Sequence, residues 1–344
     1  MENKITIAID AMGGLDAPSK TLMGLKLFIS KNKNNDYFFK IFGDKEIIEK
    51  KINELDIPKD NINIIHTSTV VSEKETPLTA IKNSKNSSMW MSIKSQVDEN
   101  SDISLSAGNT GVLFVISKML LKTIDGVSKP ALAGIWPNRK GISIFLDLGA
   151  NIDCNEQNLV DFSKMGSALY KALQHDEKPK VSLLNIGSEE IKGTESLKKA
   201  FTILKDIENN NEYIFNGYIE GNEIFNGDSN VIITDGFTGN VSLKTAEGTA
   251  KFITDGLRDS LMKNLFTKLS LIFSYFSLKK FKEKIDPRKY NGAIFLGLKG
   301  PVVKSHGSTD SVGFYHSIDL CYKIVKGNLM SRIKKNLRKS ENVG

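Results

Sequence analysis

The chain has 344 residues, 40% of them hydrophobic and 25% charged, which is enough to bury a sizeable core in one large domain or two lobes. Its two cysteines, Cys154 and Cys321, cannot build a disulfide framework and stand in no CxxC spacing, so reduced thiols in a cytosolic protein are expected. A net charge of +7 allows an acidic partner (nucleic acid, anionic lipid or an acidic protein), but no zinc-finger spacing or aromatic–basic interleaving is present, and nucleic acid is not expected.

A strand at 5–10 comes within the first few residues, with no charged region followed by an apolar stretch and a cleavage site. No apolar run reaches the roughly 20 residues of a membrane span. The expectation is a cytoplasmic protein, soluble or peripheral. Further strands are predicted at 38–43, 62–67, 103–107, 142–148, 180–186 and 231–234. Helical patterns lie between most of them, including 18–30, 45–55, 79–96 and 111–122. This alternation predicts an α/β fold with a largely parallel sheet, and the near-continuous apolar strands predict helices on both faces. No linker or fixed-period repeat interrupts residues 1–330, which read as one domain, with or without two lobes. Residues 331–344 form a basic tail, read as a solvated helix end.

Glycine-rich turns follow the strands, where open α/β sheets bind their ligands. Glycine admits a ligand close to the backbone, and a following helix start points free N–H groups at an anion. The turn at 10–14 reads equally as a tight connection. The turn at 106–111, SAGNTG, has neither a P-loop lysine nor a GxGxxG spacing. Its backbone N–H groups, with Gly108, Asn109, Thr110 and Gly111, are nevertheless the parts of an oxyanion or phosphate cradle.

In the turn at 147–153, Asp147 and Asp153 lack an obvious third carboxylate. Asn151 and its neighbours therefore read as structural or substrate-positioning, and no metal or other cofactor is expected. Lys192 follows the glycine turn after 180–186, which favours a place facing the crevice. Asp235, Gly239 and Asn240 lie in the turn after 231–234. His306 lies in a Gly/Ser/Thr-rich turn, where binding competes with an ordinary polar role.

Residues 257–290 read differently. Leu257, Leu261, Leu265 and Leu269 recur every four residues, and Leu271, Ile272, Phe273, Tyr275 and Phe276 follow. Nine basic residues stand against three acidic ones in this segment. It reads either as a helical hairpin buried in a dimer interface or as a basic amphipathic element on anionic lipid. The second reading is preferred, with Leu269, Ile272, Phe273 and Phe276 as the membrane contacts.

Taken together, IAIDAMGG (7–14), ETPLTAIKNSKNSSM (75–89), SAGNTG, DLGANID (147–153), LLNIGSEEIKG (183–193), ITDGFTGNVSLKTAEGTAK (233–251) and LGLKGPVVKSHGSTD (296–310) resemble the phosphate acyltransferase family. Each motif alone is weak; seven in register are specific. The family usually reads MGGD where this chain has Gly14, Leu15 and Asp16.

The resemblance implies a three-layer α/β/α sandwich similar to the isocitrate and isopropylmalate dehydrogenases and to phosphotransacetylase. It also implies a homodimer and peripheral membrane contact. The implied reaction moves an acyl group from acyl carrier protein to inorganic phosphate, giving an acyl phosphate for phospholipid synthesis through a downstream glycerol-3-phosphate acyltransferase. Phosphate is already an anion, so no strong base or nucleophile elbow is needed. The resemblance makes Lys192, as charge stabiliser, and Asn240, at the thioester carbonyl, the expected catalytic residues. The alternative is a phosphotransacetylase-like enzyme using acyl-CoA. A metal- and nicotinamide-dependent dehydrogenase would need an Asp cluster and an Arg-rich site that the sequence lacks, and a non-catalytic membrane scaffold would leave the glycine turns dispensable.

Overall fold

The computed structural model describes residues 4–174, 178–207 and 212–338, without the side chains of residues 80, 265 and 267–272. One eleven-stranded sheet runs through it. In chain order the strands are β1 (Ile5–Asp10), β2 (Tyr37–Gly43), β3 (Ile62–His66), β4 (Ile103–Ser106), β5 (Ala131–Pro137), β6 (Ile142–Leu146), β7 (Lys180–Leu184), β8 (Ile214–Ile219), β9 (Val231–Ile233), β10 (Ala293–Leu296) and β11 (Val302–Lys304). Their spatial order is β3-β2-β1-β4-β11-β10-β5-β6-β9-β7-β8. Consecutive residues of β4, β9 and β11 are all buried, which requires helices on both faces.

All seven predicted strands are present. β5, β8, β10 and β11 escape the sequence pattern for local reasons. β5 contains Gly134 and ends on Pro137, β8 carries a turn-like Asn216-Gly217 pair, and β10 and β11 are only four and three residues long. The helix expected over 79–96 is two helices, α3 (Pro77–Asn83) and α4 (Ser88–Val97). The break falls where Asn86 takes a left-handed φ of 65° and the Ser87 side chain accepts from Trp90 N to start α4.

The remaining helices are α1 (Ser19–Lys31), α2 (Lys45–Glu54), α5 (Thr110–Leu121), α6 (Glu156–Leu173), α7 (Glu195–Asp206), α8 (Gly236–Met262), α9 (Leu265–Ile285), α10 (Ser311–Lys326) and α11 (Leu329–Arg338). The basic tail is more than a solvated end. Leu329, Ile333 and Asn336 of α11 are buried, and the Asn336 amide donates to Lys164 O and Ser167 Oγ of α6.

The sheet reverses direction at its centre. β1, β2, β3, β4 and β11 run one way; β10 and β5 are each antiparallel to their neighbours, and β6, β9, β7 and β8 run the other way. In a flat sheet the carboxyl ends of the two halves would point apart. Seven inter-strand steps separate β1 from β7. At about 20–25° of twist per step the accumulated rotation is about 140–175°, which offsets much of that reversal.

Candidate functional site

Three turns meet at the carboxyl ends of β1, β4 and β11. Asp10 closes β1, is 1% exposed, and accepts a hydrogen bond from Ser106 Oγ at 2.7 Å. Ser106 Oγ accepts from Gly108 N at 3.0 Å. Ser305 N donates to Ser106 O at 2.9 Å, and Leu15 N to Gly307 O at 3.1 Å. The glycines make this closeness possible. A Cβ on Gly13 would lie 2.7 Å from Gly108 N, and one on Gly14 would lie 2.7 Å from Lys20 Nζ. Asn109 caps α5 by accepting from Val112 N at 3.1 Å, while its amide donates to the carbonyls of Glu73 and Glu75 at 2.9 and 3.1 Å. Thr110 and Gly111 open α5 and are exposed.

A second group forms at the carboxyl ends of β6 and β9. Asp147 is buried and holds the 147–151 turn, accepting from Ala150 N at 3.0 Å, Asn151 N at 2.7 Å and Asn151 Nδ2 at 2.8 Å. Asp235 caps α8 by accepting from Thr238 N and Oγ1, both at 2.8 Å. Glycine again sets the approach: a Cβ on Gly236 would meet Asn151 O at 2.4 Å, and one on Gly239 would meet Asp147 O at 1.9 Å. The first turn of α8 therefore presses on the 147–151 turn. This leaves Asn240 Nδ2 3.1 Å from the Cβ position of Gly149. The Asn240 amide has no hydrogen-bond partner among the described residues.

Lys192 lies past the end of β7, the strand beside β9. It is exposed, folds over Gly187, and pairs with Glu189 at 2.8 Å. The Glu189 hydrogen bond raises the ammonium above its ordinary pKa, so it is fully charged at neutral pH.

The two halves come within electrostatic reach of each other. Desolvation lowers the His306 imidazole, Lys304 lowers it further, and Glu247 and Lys244 of α8 also act on it. His306, from the first half, thus lies within electrostatic reach of the helix that carries Asn240 from the second.

The expected residues fall into these groups. Gly108, Asn109, Thr110, Gly111 and His306 gather on the first half; Asn151, Asp235, Gly239 and Asn240 gather on the second, with Lys192 one strand further. The side chains of Leu269 and Ile272 lie outside the described residues, and Phe273 and Phe276 are 87% and 76% exposed.

Two residues of the first group went unnoticed in the sequence. Lys304 ends a buried strand, and burial pushes its ammonium down to about 8. Lys20 is buried in the first turn of α1, where a cation opposes the helix dipole. Both carried a readable signal: a lysine closing an apolar strand, and a lysine at the wrong end of a helix. A separate cavity of about 410 Å³, lined by Lys4, Thr6, Asp102 and Lys326, opens at the amino-terminal end of β1, away from these turns.

The fold is that of the phosphotransacetylases. The chain superposes on the EutD phosphotransacetylase of Staphylococcus aureus with a TM-score of 0.62, at 16% identity over 94% of this chain and 95% of that one. A 4-hydroxythreonine-4-phosphate dehydrogenase of Salmonella typhimurium, described as putative, shares the fold at a TM-score of 0.53, with 11% identity over 93% and 99% of the two chains. In sequence, residues 5–332 match the family described as fatty acid synthesis protein. The phosphate acyltransferase of Pelagibacter ubique is 52% identical over 98% of this chain and 100% of its own length, and that of Paramagnetospirillum magneticum 40% identical over 97% and 94%. The chain belongs to the phosphate acyltransferase family and is an acyl-transferring enzyme.

Proposed function

We propose that the enzyme transfers a fatty acyl group from acyl carrier protein to inorganic phosphate, releasing acyl phosphate for phospholipid synthesis. The observation that carries this reading is the exposed Asn240 amide at the start of α8, with no hydrogen-bond partner among the described residues, on a helix whose charges act on His306 of the first turn cluster. A phosphate oxygen attacks the thioester carbonyl, the carbonyl oxygen becomes an oxyanion, and the carbon–sulfur bond breaks to release the carrier thiolate, which takes up a proton. Asn240 donates to the carbonyl oxygen as charge grows there, and Lys192 stabilises the negative charge of the encounter. One well-placed donor contributes roughly 3 kcal/mol to such a step.

Pure protein incubated with long-chain acyl carrier protein and phosphate should form acyl phosphate, and acyl-CoA should serve poorly in parallel. Asn240→Ala should lower kcat about 100-fold while the protein stays folded. Turnover near wild type in both Asn240→Ala and Lys192→Ala would defeat the assignment.

The α8–α9 hairpin supports a peripheral lipid-facing role in a homodimer. Phe252, Phe266, Phe273 and Phe276 are 76–87% exposed, and Lys279, Lys280, Lys282 and Lys284 follow on α9. No described helix is long and apolar enough to cross a membrane. Acyl phosphate released beside lipid is accessible to a membrane glycerol-3-phosphate acyltransferase. Flotation with anionic vesicles should carry the wild type upward and leave Phe273→Asp behind; equal flotation of the two counts against lipid contact.

A further inference from the structure

Two lysines of the first group stand where lysines are rarely found. Lys20 is 4% exposed and Lys304 9%. A buried ammonium is costly unless paired or coordinated. Among the described residues neither makes an ion pair. Lys20 donates to Gly307 O, and Lys304 to Ser305 O at 2.5 Å. An ammonium has three donors, so each lysine keeps N–H groups unspent.

Nearby carboxylates act on the two ammonium groups without forming an ion pair: Asp16 and Glu73 on Lys20, Glu73 and Asp10 on Lys304. Asp10 spends its oxygens on Ser106 and on Met12 N. Glu73 is exposed at the rim, with Oε1 3.3 Å from the Cβ position of Gly307. The two ammonium groups also act on each other, so their charge is concentrated rather than dispersed. Glycine at 14 lets the Lys20 ammonium pack against the turn backbone, since a Cβ there would lie 2.7 Å from Lys20 Nζ and 2.9 Å from the carbonyl oxygens of Ala107 and Gly307.

We infer that Lys20 and Lys304 together hold a phosphate oxyanion between the turns at 10–14, 106–108 and 304–307. This rests on the reaction proposed above, in which that oxyanion is the acceptor phosphate. The same chemistry occurs in free orthophosphate and in the phosphodiester of a carrier's prosthetic arm, and the experiment separates the two. Isothermal titration of the full-length protein with inorganic phosphate should give one site per chain. Lys304→Met and Lys20→Met should each weaken it about tenfold or more, the loss expected for a charge-assisted contact. Glu73→Gln should tighten it.

Removing a buried charge should leave the phosphate-free melting temperature unchanged or raised, while the rise in melting temperature on adding phosphate disappears. In turnover, KM for phosphate should rise by the same factor and KM for the acyl donor should not. Unchanged phosphate affinity in both variants overturns the site, and a rise confined to the donor's KM overturns its assignment to the acceptor. Phosphate should also protect Lys20 and Lys304 of the wild type from carbamylation by cyanate, read by peptide mass spectrometry. Absence of protection counts against the site without requiring any variant to fold. Phosphate binding without acyl phosphate formation would retain the site and refute the reaction; turnover with unaltered variants would do the reverse.

Discussion

On the phosphate site inferred above, Lys304 gives phosphate use a pH dependence with a definite sign. Burial brings its ammonium down to about 8, so it is charged at pH 7 and loses its proton as the pH rises. The groups acting on it are Glu73 and Asp10, which favour the charge, and Lys20, which opposes it; His306 adjoins and is itself lowered by desolvation. kcat/KM for phosphate should therefore fall as the pH passes through about 8. Lys304→Arg, with a side chain that keeps its charge, should hold its value to higher pH; a pH–rate profile in both proteins checks this. Individual residues were legible in unequal measure. Asn240, Asp235 and His306 stood in turns whose glycines advertised a site. Lys20 and Lys304 gave only the fainter signs of a lysine at the wrong end of a helix and a lysine closing an apolar strand, and only the folded turns show that both are buried and which carbonyls accept from them. Asn109 was read as a ligand amide, and the structure shows that amide bonded to the carbonyls of Glu73 and Glu75.

Helix α8 behaves as two elements joined end to end. Its first turn is clamped and its shaft is free, and its glycines record the difference. Gly239 has no room for a methyl group, because backbone oxygen of Asp147 occupies the position, whereas nothing lies within 4 Å of a Cβ on Gly248. Gly239→Ala should cost about 1–3 kcal/mol by overpacking and displace Asn240. Gly248→Ala should add about 0.5–1 kcal/mol through helix propensity. Thermal melts of both variants, with kcat for the first, test the contrast; a harmless Gly239→Ala would remove the clamp from the account of the site. The α3–α4 break shows a limit of element prediction. The apolar spacing over 79–96 suits one helix, but a left-handed Asn86 and the capping of α4 by Ser87 divide it, and periodicity is blind to both.

At the scale of the molecule, the strand-and-helix alternation predicted the α/β class, while the order of strands was out of reach. The strands that join the halves, β10 and β11, come from residues 293–304 and insert between β4 and β5, a long-range pairing that no local pattern encodes. Limited proteolysis should cut first in the exposed α8–α9 hairpin. The two pieces should then co-elute on size exclusion, because separating them would strip the centre of the sheet and bare the edges of β4 and β5. Elution as separate fragments would contradict that interlock. The hairpin has one more consequence, a matter of length. Asn240 and Met262 lie on one continuous helix, and at 1.5 Å per residue the rod between them spans about 33 Å. A stiff spacer of that length holds Asn240 at a set height above whatever the tip rests on. On the function proposed above, that height limits how bulky a donor can be and still reach Asn240.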